Sequence, residues 1–173
     1  NGTVITVPTD VTDQVQTESM IGHVEEELGP IDSIINNAGS CYGLGPVWEA
    51  DPKTWWQDVT TNILGVYLCC RAVVPGFISR GKGRVIILTG GGTASPITNL
   101  SGYGTSKAGV MRFMECLALE LKEHHIPVLA MGPGLVRTTL TEYQLNSELG
   151  KKWMGRIKDR FDEGSDVPPT LAA

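Results

Sequence analysis

Strand-like and helix-like segments alternate along nearly the whole chain, and that alternation restricts its fold more than any other feature. "TVITV" (Thr3–Val7), "IDSII" (Ile31–Ile35), "RVIIL" (Arg84–Leu88) and "PVLAMGPG" (Pro127–Gly134) are short and rich in β-branched or aliphatic residues, which predicts four strands. Helical patterns separate them. Thr12 is expected to cap the first helix, with Val15, Ile21, Val24 and Leu28 as its apolar stripe and Gly29–Pro30 as its stop. Asp51 followed by Pro52 starts the second, which carries Leu64, Val66, Leu68 and Val73 and ends near Pro75–Gly76 or a little beyond. The third runs from about Ser101 to Glu123, with Val110, Phe113, Met114, Leu117 and Leu121 at three- and four-residue spacing. Strands alternating with helices imply right-handed crossovers and a parallel sheet with helices on both faces. The expected class is α/β, a doubly wound parallel sheet in three layers.

Ligands of such sheets bind beyond the carboxyl ends of the strands. "TDVTD", "NNAG", "TGGGT" and "GPGLVRT" are the segments leaving those ends, and they are rich in Gly, Asn, Asp and Thr. They leave room for a ligand and offer hydrogen-bonding groups to it. Other chemistries fit less well. The formal charge is -5, from 14 basic and 19 acidic residues, with no basic cluster, which disfavours nucleic acid and anionic membranes as partners. No apolar run in the sequence approaches the roughly 20 residues of a membrane span. Cys41, Cys69, Cys70 and Cys116 lack metal-finger or C-x-x-C spacing, so no metal site is expected and free thiols in a reducing cytoplasm are. His124 and His125 read as solvated residues at the negative end of a helix.

Tyr103 and Lys107 stand four residues apart at the start of the third helix, on one face. A lysine ammonium beside a tyrosine favours the phenolate and is expected to lower a pKa ordinarily near 10. Such a hydroxyl is suited to exchanging a proton with a substrate oxygen. The spacing alone is a weak signal. It gains weight because the helix follows a strand whose end points into the same crevice.

Five motifs taken together resemble the short-chain dehydrogenase/reductase family: "DVTD" at Asp10–Asp13, "NNAG" at Asn36–Gly39, Asn62 within "TTNILGVY", "YGTSK" at Tyr103–Lys107 and "PGLVRT" at Pro133–Thr138. They occur in the family's order and spacing and cover essentially the whole chain. The resemblance implies a Rossmann-like fold, a single NAD(P)-binding domain over residues 1–173, and hydride transfer between a carbonyl and an alcohol with NAD or NADP as cofactor. It implies that Asp10 and Val11 meet the adenine, and that Asn37, Ala38 and Gly39 lie against the adenosine ribose. It makes Tyr103 the acid in reduction and the base in oxidation. Lys107 would hold the nicotinamide ribose and tune Tyr103, while Asn62 would interrupt its helix and hold a proton-relaying water. Pro133, Gly134, Val136 and Thr138 would flank the nicotinamide. The partners implied are a small carbonyl or alcohol substrate and further copies of the chain, as a homodimer or homotetramer.

Two departures stand out. The family's substrate-orienting serine sits thirteen residues before the tyrosine, and here that position is Gly90. Thr89 is the first candidate to supply the hydroxyl, with Thr93 and Ser95 behind it. The family's opening strand and glycine-rich phosphate turn have no counterpart either. The chain therefore reads as an internal, truncated segment, in which "TVITV" should be the least anchored element. Residues 139–164 fall where the family carries a substrate lid. There Trp153 and Met154 are candidates to cover the substrate, while Trp48, Trp55 and Trp56 read as packing residues. Besides an oxidoreductase, two alternatives follow: a binding or regulatory protein with impaired turnover, which Gly90 suggests, and a sugar-nucleotide dehydratase or epimerase, for which the region after "PGLVRT" leaves little room.

Overall fold

The computed structural model describes residues 2–172. Helix α1 (Gln14–Leu28) leads to strand β1 (Ile34–Asn36). One continuous helix follows, made of α2 (Pro52–Val59), a π-helical turn (Thr60–Leu64) and α3 (Gly65–Arg80). Then come β2 (Val85–Leu88), α4 (Ser101–Glu120) and β3 (Val128–Met131). Four short helices complete the described chain: α5 (Thr139–Asn146), α6 (Glu148–Trp153), α7 (Gly155–Asp162) and α8 (Pro169–Ala172).

The strands form one parallel sheet in the order β1-β2-β3. Ile34, Ile35 and Asn36 pair with Val85, Ile86 and Ile87, and Val85 to Leu88 pair with Val128 to Met131. Residues two apart on a strand share a face. Val85 and Ile87, both 0% exposed, lie in one core cluster with Ile21 of α1, Val66, Val73 and Phe77 of α3, and Val110 and Leu117 of α4. All three long helices therefore pack on the same side of the sheet. The opposite row, Ile35 and Leu129 flanking Ile86, remains open, with Ile35 60% and Leu129 50% exposed. The α/β class with a Rossmann-like parallel sheet is as expected, but helices cover only one face among the described residues.

"TVITV" forms no strand. A strand is held by its ladder, and no described strand lies beside this one, so Val4 is 87% exposed. The cap of α1 is Asp13 rather than Thr12: its carboxylate accepts from the Gln16 N–H, while Thr12 turns its N–H and hydroxyl to Asp10 Oδ1. The stripe of α1 is narrower than expected, since Ile21 is buried but Val15 is 75% exposed. Asp51 and Pro52 open α2 as the sequence requires. Pro75 does not end α3, which continues to Arg80 and stops at Gly81 in the left-handed conformation (φ 61°). The helix Pro52–Arg80 is long and apolar enough to cross a membrane by length and composition, contrary to the reading of the sequence; its apolar residues Val66, Cys70, Val73 and Phe77 lie in the core. Of the tryptophans, Trp55 packs and donates Nε1–H to Ser101 Oγ at 3.0 Å, whereas Trp48 and Trp56 are exposed. All four cysteines are free thiols.

Candidate active site

The site is assembled where α2, α3 and α4 meet the loop after β1. Asn62 sits in the π turn, 1% exposed. Its Oδ1 accepts from the Ser40 N–H at 2.8 Å, and its two amide protons go to Ser40 O and Ser106 Oγ, each at 2.8 Å. Ser106 in turn donates to Tyr103 O at 2.7 Å. One amide thus ties the β1 loop to the helix that carries Tyr103 and Lys107. The interruption of the helix at Asn62 is present, and π turns often mark functional positions.

Asp58, one turn earlier on the same helix, is 0% exposed. Its carboxylate accepts from Ser40 Oγ and from the Tyr42 and Gly43 N–H groups. The sequence reading missed Asp58, Ser40 and Ser106. An aspartate four residues before Asn62 on one helix face was the available signal.

Lys107 is buried and donates Nζ–H to Leu88 O, the carbonyl that ends β2, at 3.0 Å. Its ammonium stands 5.6 Å from the centre of the Tyr103 ring. Tyr103 is enclosed by a second apolar cluster of Cys41, Leu44, Leu100 and Met154. That enclosure reverses the expected electrostatics. Burial, then the neighbouring Cys41 and Asp58, push the Tyr103 hydroxyl up to about 12, and burial also moves Lys107 below its ordinary value. Desolvation disfavours both charged forms and outweighs the lysine's attraction for a phenolate.

The "TGGGT" turn packs on the first turns of α4. Gly90 O accepts from the Thr93 N–H at 3.3 Å and from Thr93 Oγ1 at 2.7 Å. Gly92 has φ +88°, and a β-carbon there would stand 2.8 Å from Gly104 Cα. A β-carbon on Gly90 would fall well inside contact of the Tyr103 hydroxyl. Thr89 turns its hydroxyl to Met131 O at 3.2 Å, toward β3, so the structure does not bring it to Tyr103.

Residues 139–164 close over this end. Gln144 Nε2 donates to Cys41 Sγ at 3.0 Å, Tyr143 meets Tyr42 edge-on at 4.8 Å, and Asn99 donates to Trp153 O at 3.1 Å. Burial pushes the Cys41 thiol well above its ordinary value. Met154 is buried against Tyr103's surroundings, whereas Trp153 stands over Gly45.

Of the residues expected to hold a cofactor, those from "NNAG" and "PGLVRT" follow β1 and β3, while Asp10 and Val11 precede α1. Asn37, Ala38 and Gly39 follow β1 and are exposed. Val11, which packs on Gly65 of α3, borders a narrow cleft with Asn36 and Ala38, and exposed Asp10 precedes it. Pro133 and Gly134 (φ +80°) follow β3. Val136 accepts from Thr141 through its carbonyl, and Thr138 caps α5, so these two serve the turn into α5 as well. Small residues, most of them exposed, beyond the ends of β1 and β3 on either side of β2 fit a flat, extended dinucleotide. Among the described residues no cluster of side chains suits a metal ion.

The family model for short chain dehydrogenases matches residues 1–149. A short chain dehydrogenase of Emericella variicolor, andI, is 37% identical over 139 residues, covering 80% of this chain and 48% of that protein. The crystal structure of NAD+-bound xylitol dehydrogenase superposes with a TM-score of 0.77 at 27% identity, over 84% of this chain and 55% of that one. The KRED1-Pglu enzyme shares the fold with a TM-score of 0.86 at 24% identity, over 96% of this chain and 69% of that one. The chain spans about half the length of the curated relatives it matches. The match over most of its length leaves one conclusion: the chain belongs to the short-chain dehydrogenase family.

Proposed function

We propose that this chain carries the proton-transfer centre of an NAD- or NADP-dependent oxidoreductase that interconverts a small carbonyl compound and its alcohol. The observation that supports it most is the placing of Asn62, Tyr103 and Lys107 in one corner: Asn62 reaches Tyr103 O through Ser106, and Lys107, 5.6 Å from the centre of the Tyr103 ring, is held by Leu88 O. The relative with bound NAD+ supports the dinucleotide. Asp10, Val11, Asn37, Ala38 and Gly39 would hold its adenosine half, and Pro133, Gly134, Val136 and Thr138 its nicotinamide half. When bound, the dinucleotide supplies or accepts the hydride.

The chain's own residues handle the proton. Burial keeps Tyr103 protonated at neutral pH, so in reduction its hydroxyl donates to the substrate oxygen as that oxygen gains charge. In oxidation the same oxygen must first lose its proton, and an alkaline optimum is expected for that direction. Lys107 supplies positive charge under the ring and is fixed by Leu88 O. Residues 139–164 exclude water through the Gln144–Cys41 and Tyr143–Tyr42 contacts. We further propose a homodimer or homotetramer in the cytoplasm. Exposed Leu64 and Tyr67 of the long helix and Phe113 of α4, which meets Tyr67 edge-on at 6.2 Å, make one apolar surface for a second copy.

Tyr103→Phe in the full-length protein tests the reading. Loss of a positioned acid should lower kcat about 10²–10⁴-fold for ketone reduction while leaving dinucleotide affinity nearly unchanged. Unchanged turnover in that variant would remove Tyr103 from the mechanism. The competing reading, a binding or regulatory protein, draws on the missing hydroxyl at Gly90; absence of turnover with a panel of ketones and alcohols would favour it.

A further inference from the structure

We propose that Gly90 is a positioning residue: its missing side chain seats the Tyr103 hydroxyl against the backbone at the end of β2, in the space a side chain there would fill. This rests on the reading of Tyr103 as acid and base. A β-carbon built on Gly90 collides with the Tyr103 hydroxyl, lies 3.5 Å from the ring carbon bearing it, and comes within 3.9 Å of Lys107 Cε. The volume that a serine would occupy is thus already taken by the tip of the tyrosine and the stem of the lysine.

Two further observations make the tyrosine, and not the loop, the part that must give way. The turn is fixed from within, by Thr93 N–H and Oγ1 on Gly90 O, and from outside, where Gly92 lies directly against Gly104. The atom a β-carbon on Gly90 would meet is the far end of the Tyr103 side chain, which rotation about its χ angles can move, whereas the turn is backbone pinned at Thr93. The Tyr103 hydroxyl, by contrast, has no hydrogen-bond partner among the described residues. Neither neighbouring hydroxyl is free to replace it, because Thr89 donates to Met131 O and Thr93 to Gly90 O. With both of those donors engaged, the Tyr103 hydroxyl is the donor left beside Gly90, Ser95 being exposed farther along the turn. Introducing a serine at Gly90 displaces that donor instead of adding a second.

The test uses Gly90→Ala and Gly90→Ser in the full-length protein, alone and combined with Tyr103→Phe. Gly90 does not adopt positive φ, so the substitutions read space and not backbone strain. Both single variants should lower kcat by about tenfold or more, with the KM for dinucleotide within about twofold, because a displaced acid misses its geometry. Gly90→Ala should lower the melting temperature of the parent protein and leave that of Tyr103→Phe unchanged, since the colliding oxygen is gone. An ultraviolet difference titration should place the phenol of Gly90→Ser below that of the parent, as the hydroxyl moves toward water. A tenfold gain in kcat/KM from Gly90→Ser overturns the proposal, and so does an equal melting shift in both backgrounds. If the parent protein turns nothing over, the proposed function fails, and the melting comparison still decides whether Gly90 seats the hydroxyl.

Discussion

Replacing Asn62 by alanine removes a side chain that bonds both the β1 loop and helix α4. Three bonds of 2.8 Å are lost, at a position 1% exposed. Ser106 Oγ keeps its bond to Tyr103 O, but the N–H and C=O of buried Ser40 are left without Asn62. An orphaned buried group costs about 1–3 kcal/mol, so two give about 4 kcal/mol. For a chain of this size that corresponds to a fall of about 8–16 °C in melting temperature. Urea melts followed by circular dichroism measure it. Ser106→Ala is the comparison, because it removes only the α4 end of the connection and should cost about 1–2 kcal/mol. If Asn62→Ala costs less than about 1 kcal/mol, or no more than Ser106→Ala, the amide does not hold the loop and the assembly of the site described above is wrong.

Two other outcomes follow from the same structure. Tyr103 has its pKa raised to about 12 from an ordinary 10, so the stability it contributes is complete below pH 10 and is lost as pH rises toward 12. Lys107 is shifted downward and acts in the opposite sense, its contribution growing as pH rises toward 10.5; melts across pH 8–12 should show an alkaline fall that Tyr103→Phe reduces, and an unreduced fall would refute the burial argument. Sedimentation of the full-length protein at micromolar concentration should show a dimer or tetramer, and Tyr67→Glu, which puts a charge on the exposed surface shared with Phe113, should shift it toward monomer; a strictly monomeric parent protein would refute the interface.

Features dictated by neighbouring residues were legible in the sequence. Asp51 and Pro52 specify a helix start whatever lies around them, and the apolar spacing of Val110 and Leu117 on α4, continued by Leu121 at its cap, specifies its buried face. Features dictated across the chain were not. "TVITV" has strand composition, yet a strand exists only with a partner. The enclosure that raises the Tyr103 pKa comes from Leu44, Leu100 and Met154, residues far apart in sequence. Spacing alone suggested a lysine-activated phenol, while packing decides the sign. Asn62 was legible as a motif position, but its partners Ser40 and Ser106, 22 and 44 positions away, were not. Thr89 lies next to Gly90 in sequence, but its bond to Met131 follows from the pairing of β2 with β3.

The strand register has a consequence for how the molecule forms. Ile34 must find Val85, and Val85 must find Val128, so neither ladder can begin as a local hairpin. Closing loops of some 40–50 residues costs about 3–4 kcal/mol of chain entropy for each, before any strand bond returns it. Local turns of α3 and α4 come at far less entropic expense, and their apolar faces are what hold the strands once they meet. That entropy difference favours assembly from the helices toward the sheet, with the candidate site, which needs the ends of β1 and β2 together with both helices, completed last.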